Sequence, residues 1–313
     1  MLWIFFLERV VAKLEGMRIV LTGGTGYIGN SLTDLLLAQN DEVLILTRSV
    51  GSCAARGVLV AECSLDMPEK SLAPVRAFRP DVIVHLAALS SPNQCQLDPE
   101  GAWRANVEFT RLVCKLAEET QSFLCFASTD WIFNGSETPP RGYTEKDLPN
   151  PQSVYGVTKY TAEQLVLSGR FQFAVVRLAL VYGPTSGQQG GFLQTLLNSF
   201  RRKITVELFE DEWRTPVFVE DVLRSLTGII GRRCQGVFHC SGPDRISRLE
   251  MGKKFAKLAG EPEALIRSVT RAAQGLDFRP RDLSLNSEEL TSRLGGSFTG
   301  IDRGLYLAAK KMI

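Results

Sequence analysis

Through the first two thirds of the chain, short apolar runs rich in β-branched residues alternate with stretches whose leucines recur at helical spacing. Residues 18–22 read as an apolar strand, and residues 30–39 follow with Leu32, Leu35 and Leu36 on one helical face. Residues 42–47, 81–87, 123–127 and 173–178 read as further strands, residues 107–119 as a helix, and residues 235–241 as a last strand. This rhythm implies a parallel sheet covered by helices on both faces, because parallel neighbours need a crossover connection. The expected fold class is α/β, a doubly wound parallel sheet. After Gly183-Pro184 the rhythm weakens and the loops lengthen, which predicts a smaller C-terminal lobe over the carboxyl edge of the sheet. Residues 17–182 are assigned to the sheet domain, with a segment at about 216–242 returning to it, and residues 183–215 with 243–313 to the lobe. In the lobe, Met251, Phe255 and Leu258 mark the buried face of a helix whose Lys253 and Lys254 face solvent.

Composition adds exclusions. With 44% hydrophobic and 22% charged residues among 313, the chain has the make-up of a soluble globular protein and not of a disordered or fibrous one. Thirty-six basic residues against 34 acidic ones leave a net charge of +2, too balanced for a nucleic-acid binder. A local basic patch for a small phosphorylated ligand remains compatible with it. Seven cysteines form an odd set without a C-x-x-C pair and read as free thiols, which points to the cytoplasm. Two histidines far apart in sequence offer almost nothing to build a metal site from, so no metal is expected. Residues 1–16 read as an upstream extension. Their apolar run at 2–7 is far shorter than the roughly 20 residues of a spanning helix, and it lacks the flanks of a signal peptide.

The first strand runs into Thr22-Gly23-Gly24-Thr25-Gly26-Tyr27-Ile28-Gly29 and then into a helix. Glycines there permit a tight turn, let backbone approach a pyrophosphate and allow close packing of helix on strand, while Tyr27 and Ile28 open a helix whose free N–H groups suit a phosphate. A nicotinamide dinucleotide is the expected cofactor, with Gly23, Gly26, Tyr27 and Ile28 against it. At the end of the second strand no acid waits for a ribose 2′-hydroxyl; Arg48 and Ser49 stand there instead and suit a 2′-phosphate. NADPH is therefore expected ahead of NADH. Asp66 follows a third short strand and can reach the adenine amino group or cap its own loop.

Tyr155 and Lys159 are four apart, so on a helix they share one face. A neighbouring ammonium is expected to lower a phenol pKa from its ordinary value near 10 toward a working range, and the lysine can also bond the nicotinamide ribose. Upstream, a strand ends in Ser128-Thr129-Asp130-Trp131, at the edge where ligands of open parallel sheets bind. Either hydroxyl can hold a carbonyl oxygen for Tyr155, or cap its own backbone. Arg214 follows three acids, Glu210, Asp211 and Glu212, and can take a diphosphate bidentately or form a surface ion pair. His85 sits in an apolar strand end and reads as a packed core residue.

Together, Thr22 to Gly29, His85-Leu86-Ala87-Ala88, Ser128 to Gly135, Tyr143-Thr144-Glu145 with Pro151, Tyr155 to Lys159 and Arg279 to Leu285 resemble the extended short-chain dehydrogenase/reductases, and within them the dTDP-4-dehydrorhamnose reductase family. The resemblance spans nearly all of residues 17–295 and implies a Rossmann domain with a substrate-binding lobe. It implies NAD(P)H-dependent reduction of a nucleotide-linked 4-keto-6-deoxy sugar, with Thr129, Tyr155 and Lys159 as the catalytic set. It also implies Ala87 at the cofactor, and Ser128, Asp130, Trp131 and Arg214 toward the substrate. The implied partner is a nucleotide sugar, with a homodimer left open. Leu180 stands where the family usually has a sugar-contacting tryptophan, which leaves the sugar open. Trp131 follows Asp130 where the related dehydratases have a glutamate, which argues against dehydration. An NAD-dependent nucleotide-sugar epimerase, or a non-catalytic role like that of the methionine adenosyltransferase regulatory subunit, are the alternative readings.

Overall fold

The computed structural model describes residues 16–48, 57–186 and 190–313. The expected extension, apart from Gly16, and the candidate Ser49 lie outside them. In chain order the strands are β1 (Arg18–Thr22), β2 (Glu42–Thr47), β3 (Leu59–Glu62), β4 (Val82–His85), β5 (Phe123–Thr129) and β6 (Phe173–Leu178). There follow β7 (Val181–Tyr182), β8 (Val206–Phe209), β9 (Trp213–Arg214), β10 (Val217–Phe218), β11 (Gly236–Cys240), β12 (Ile246–Ser247) and β13 (Ile266–Val269). Seven of these form one parallel sheet in the order β11-β6-β5-β4-β1-β2-β3. The order reverses at β1, so a crevice opens between the carboxyl ends of β1 and β4, the place where open α/β sheets take ligands.

Successive side chains of each strand point to opposite faces, and each face has its own core. On one face Ile19, Leu21, Val82, Val84 and Cys125 meet Leu32, Leu35 and Leu36 of α1 (Tyr27–Ala38). On the other, Val20, Ile83, Leu124 and Phe126 meet helices α2 (Pro68–Phe78), α5 (Phe109–Thr120) and α6 (Val154–Leu167). Two short helices, α3 (Pro92–Leu97) and α4 (Pro99–Trp103), precede a π turn at Arg104–Glu108, which is why α5 begins two residues later than its apolar spacing predicts.

A third core gathers mainly residues that were expected to form the lobe. It gathers Leu193, Leu196 and Phe200 of α7 (Phe192–Arg201), then, beyond α8 (Val219–Arg232), Met251, Phe255 and Ala256 of α9 (Arg248–Ala259). Leu258 turns out exposed, because residues 251, 255 and 256 already fill the inward stripe and 258 rotates off it. Leu283, Leu285 and, on α10 (Glu288–Leu294), Leu290 pack into the sheet's own core, so this stretch of the expected lobe belongs to the sheet. The terminal helix α11 (Ile301–Met312) returns to the lobe through Leu305 and Ala308. Among the described residues, no helix is long and apolar enough to cross a membrane.

The turn after β1 shows why glycine is needed there. Gly23 has φ +71°, and a Cβ on it would lie 2.8 Å from the Ala87 amide nitrogen. At Gly29 a Cβ would overlap the Gly23 carbonyl oxygen, so α1 packs on β1 only without a side chain. Gly29→Ala should cost about 1–3 kcal/mol by overpacking, read as a lowered urea midpoint. An unchanged midpoint would show that α1 shifts enough to take the methyl group.

Candidate active site

Thr22 at the end of β1 ties the crevice together: its hydroxyl pairs with His85 Nδ1 at 2.7 Å and accepts the Ala87 amide at 3.1 Å. His85 Nε2 pairs with the Thr110 hydroxyl at 2.9 Å, and burial, with Lys159 nearby, pushes the imidazole down to about 3. It is a neutral core residue. No side chain caps the amino end of α1, so its first amides stay available beside the Gly23–Gly26 turn. Tyr27 directs its hydroxyl away to the Gly183 carbonyl at 2.5 Å, and Ile28 is half-buried against the core. Arg48 is exposed just beyond β2. Asp66 is exposed and paired with Arg104 at 2.8 Å, on the far rim of the same edge.

At the end of β5, Thr129 donates to Asp130 Oδ1 at 3.0 Å, accepts the Trp131 amide at 3.3 Å and lies beside the phenol of Tyr155. Ser153 starts α6 by accepting the Gly156 amide at 3.0 Å, which puts Tyr155 in the first turn with only 8% of its surface exposed. Burial raises the Tyr155 phenol above its ordinary value; the Thr129 hydroxyl opposes this, while the Asp130 carboxylate and Cys95 reinforce it. This differs from the lowering expected of Lys159. The lysine is buried too, with its ammonium donating to the Ala127 carbonyl at 2.7 Å and lying 4.1 Å from the Phe126 ring centre. Desolvation brings Lys159 down to about 7 against the pull of Glu163. Trp131 meets the Tyr155 ring edge-on at 6.0 Å.

Ser128 faces the other way, as the strand alternation demands. Its hydroxyl donates to Glu163 Oε2 at 2.8 Å, on the face turned away from Tyr155.

Next to Trp131 lies a buried ionic group. Arg214, on β9, is 2% exposed and sets Nε 3.6 Å from Asp130 Oδ2 and Nη2 4.0 Å from Glu212 Oε2, so it forms a buried ion pair and not the surface one expected. Arg248 Nε, at the start of α9, is 3.6 Å from Glu212 Oε2. Arg279 grips Glu212 with Nε and Nη2, reaches Asn93 Oδ1 with Nη1 at 3.0 Å, and covers the Trp131 ring at 5.1 Å. Burial works to raise Glu212, yet the three guanidiniums outweigh it and hold the carboxyl below its usual range. Asp130 is pushed up to about 6 by burial, with Arg214 and Thr129 opposing. Burial, together with the neighbouring Arg214 and Arg279 charges, lowers Arg248 to about 10, so it stays charged at neutrality. Asp130 Oδ2, Arg214 Nη2 and Arg248 Nε are all buried without a hydrogen-bond partner. Such atoms are rare in native proteins, and three in one ionic group suit an anionic ligand that carries hydroxyls.

The family model of the RmlD substrate binding domain matches residues 17–311. The chain belongs to this family. It is 29% identical over 286 residues to methionine adenosyltransferase 2 subunit beta of Xenopus tropicalis, covering 88% of this chain and 82% of that protein. To dTDP-4-keto-6-deoxy-D-glucose reductase of Streptomyces niveus it is 26% identical over 270 residues, covering 84% of this chain and 86% of the other. In structure it resembles dTDP-4-dehydrorhamnose reductase of Bacillus anthracis, solved in complex with NADP, with TM-score 0.82 at 21% identity over 95% of this chain and 100% of that one.

As a member of the family, the chain carries two site arginines that its sequence did not single out. Arg279 lies in the stretch 279–285 that carries the resemblance, yet nothing local distinguishes it from a solvated arginine, and Arg248 is one of 36 basic residues. Only the fold turns both onto Glu212. Arg279→Met should therefore destabilise the protein by about 3 kcal/mol in urea unfolding, since it leaves a buried carboxylate short of its main partner. An unchanged midpoint would show that Arg214 and Arg248 compensate Glu212 by themselves.

Proposed function

We propose that this protein is an NADPH-dependent reductase of a 4-keto-6-deoxy sugar carried on a nucleoside diphosphate. The observation that carries the reading is the meeting, at one end of β5, of Thr129, Tyr155 and Lys159 with the buried Arg214 and Arg279 over Trp131, the half-buried Arg248 beside Glu212, and three buried polar atoms of this group that make no hydrogen bond. The residues present fit a dinucleotide: Gly23 leaves a backbone cradle against Ala87, and α1 starts without a side-chain cap. Gly23, Gly26, Tyr27 and Ile28 would hold the pyrophosphate through backbone, Arg48 and Ser49 the 2′-phosphate, Asp66 the adenine, Ala87 the nicotinamide side, and Lys159 the ribose. The bound nicotinamide supplies a hydride for the ketone carbon.

The chain's own residues do the rest. Thr129 orients the ketone oxygen and Tyr155 delivers its proton there, leaving a hydroxyl where the carbonyl was. A phenol kept protonated by burial suits an acid, and the ammonium of Lys159 is the group that stabilises the phenolate left behind. Arg214, Arg248 and Arg279 neutralise the diphosphate, and Asp130 Oδ2 accepts from a sugar hydroxyl over the Trp131 ring. Leu180, half-buried at the lobe's edge, leaves the identity of the sugar to the walls around it.

Turnover is tested by NADPH oxidation at about 340 nm, the nicotinamide band that vanishes as hydride is transferred, with dTDP-4-dehydrorhamnose and related keto sugars. Tyr155→Phe should lower kcat by about 10²-fold or more while cofactor affinity holds; an equal loss of cofactor binding would make the tyrosine structural. NADPH should bind about tenfold tighter than NADH, a gap of about 1.4 kcal/mol that Arg48→Ala closes. Tighter NADH binding would remove the 2′-phosphate assignment.

A second reading draws support from the relatives named methionine adenosyltransferase 2 subunit beta, of which the Xenopus tropicalis protein is 29% identical. In it the chain is a binding subunit. Silence across the keto-sugar panel together with co-purification with a methionine adenosyltransferase would favour it.

A further inference from the structure

Behind the site, a second buried ionic group has no part in the proposed chemistry. Glu163 is fully buried on α6, one helical turn after Lys159. Arg177, on β6 and 4% exposed, grips it with Nη2 at 2.6 Å and Nε at 3.2 Å. The Ser128 hydroxyl donates to the other oxygen at 2.8 Å. Arg177 Nη1 meets His239 Nε2 at 3.2 Å, and His239 Nδ1 lies 3.0 Å from the Tyr143 carbonyl. The imidazole therefore donates to Tyr143 and accepts from Arg177, which makes it neutral. Burial and the Arg177 charge lower it to about 3. Ala127 and Ser128 are neighbours on β5. One holds the lysine ammonium through its carbonyl and the other holds the glutamate, so a single turn of strand locks both ends of the pair.

An ion pair so deep is an expensive way to join a helix to a strand, and apolar residues would do it as well or better. We propose that Glu163 is a positioning residue for Lys159: clamped by Arg177 and Ser128 one helical turn further along α6, its carboxylate is the fixed anion that accompanies the ammonium at the end of β5 where Tyr155 acts. The proposal rests on the reductase reading for its activity readout and on the lysine itself for its direct one.

The other titratable groups around Lys159 leave this task to Glu163. Tyr155 on the same helix is neutral, as is His85 on β4, while α5 and the π turn present the uncharged Thr110 and Asn106. Asp130, at the start of the turn after β5, is engaged by Thr129 and faces Arg214, and Cys95 on α3 donates to the Leu89 carbonyl. Arg177 acts on the lysine only across Glu163, and with the opposite sign. A lysine depressed to about 7 is charged below that pH and loses its charge above it. Removing Glu163 moves this loss to lower pH.

The test is an NMR titration of the full chain carrying 13Cε-labelled lysine, with Lys159→Met to assign the resonance, beside pH profiles of NADPH oxidation. In Glu163→Gln the Lys159 titration should fall by at least one pH unit. Turnover should drop about tenfold at pH 8 and recover largely near pH 6, since one unit is a factor of ten in protonation. Glu163→Asp should restore most of both. If Glu163→Gln does not fold, the charge-balanced double variant Glu163→Gln with Arg177→Met should show a smaller shift in the same direction. An unmoved Lys159 titration in either folded variant, or a loss of turnover equal at all pH values, overturns the proposal. Absent turnover in the unmodified protein, with the titration shift intact, would instead remove the reductase reading and leave the role of Glu163 standing.

Discussion

Charge taken out of water has to be answered inside the protein, and the carboxyl edge of this sheet is organised around that constraint. Asp130, Lys159, Glu163, Arg177, Glu212 and Arg214 are each less than 5% exposed. An isolated buried ion would neutralise itself or unfold the site. The fold therefore supplies partners from distant parts of the chain: Arg279 for Glu212 and Arg177 for Glu163. Where compensation is incomplete the groups are displaced instead, as with Asp130 raised to about 6 and Lys159 lowered to about 7. Such displaced groups cluster where chemistry occurs.

The pleat of β5 separates two jobs. Thr129 faces the crevice with Tyr155, and Ser128, one residue earlier, faces α6 and β6 with Glu163. One face thus carries the group that would touch a substrate, and the other the support beneath the lysine. The Ala127 carbonyl, one residue before Ser128, receives the ammonium, so a three-residue stretch at a strand end coordinates both layers. Catalytic geometry built on strands and helix starts is held more precisely than geometry built on loops, and the second layer is what holds it.

The arginine group has a different origin. Arg214, Arg248 and Arg279 come from β9, the first residue of α9 and a loop that precedes Leu283, which packs into the sheet core. Their approach depends on the lobe folding over the sheet edge. A lobe with its own apolar core, joined to the sheet through segments such as β10 and residues 283–290, brings the cations to Glu212 without placing them in one stretch of sequence.

Local pattern determined a good deal of this protein. The apolar runs of β1, β2 and β6 were readable to the residue, because a strand buried on both faces leaves a short continuous run whose β-branched residues and length set it apart from a helix. The glycine turn was readable because its chemistry is backbone chemistry, fixed by residues adjacent in sequence. Tyr155 and Lys159 were readable as a pair because one helix face joins them. Tertiary structure alone decided the rest. It turned Ser128 away from the crevice and buried Arg214, and it added Arg248 and Arg279 to the site. It also raised the Tyr155 phenol where an adjacent ammonium predicted the opposite. The reason is physical: periodicity reports which face a residue occupies, whereas the charge state of a buried group is set by its depth and by partners that approach from elsewhere in the chain.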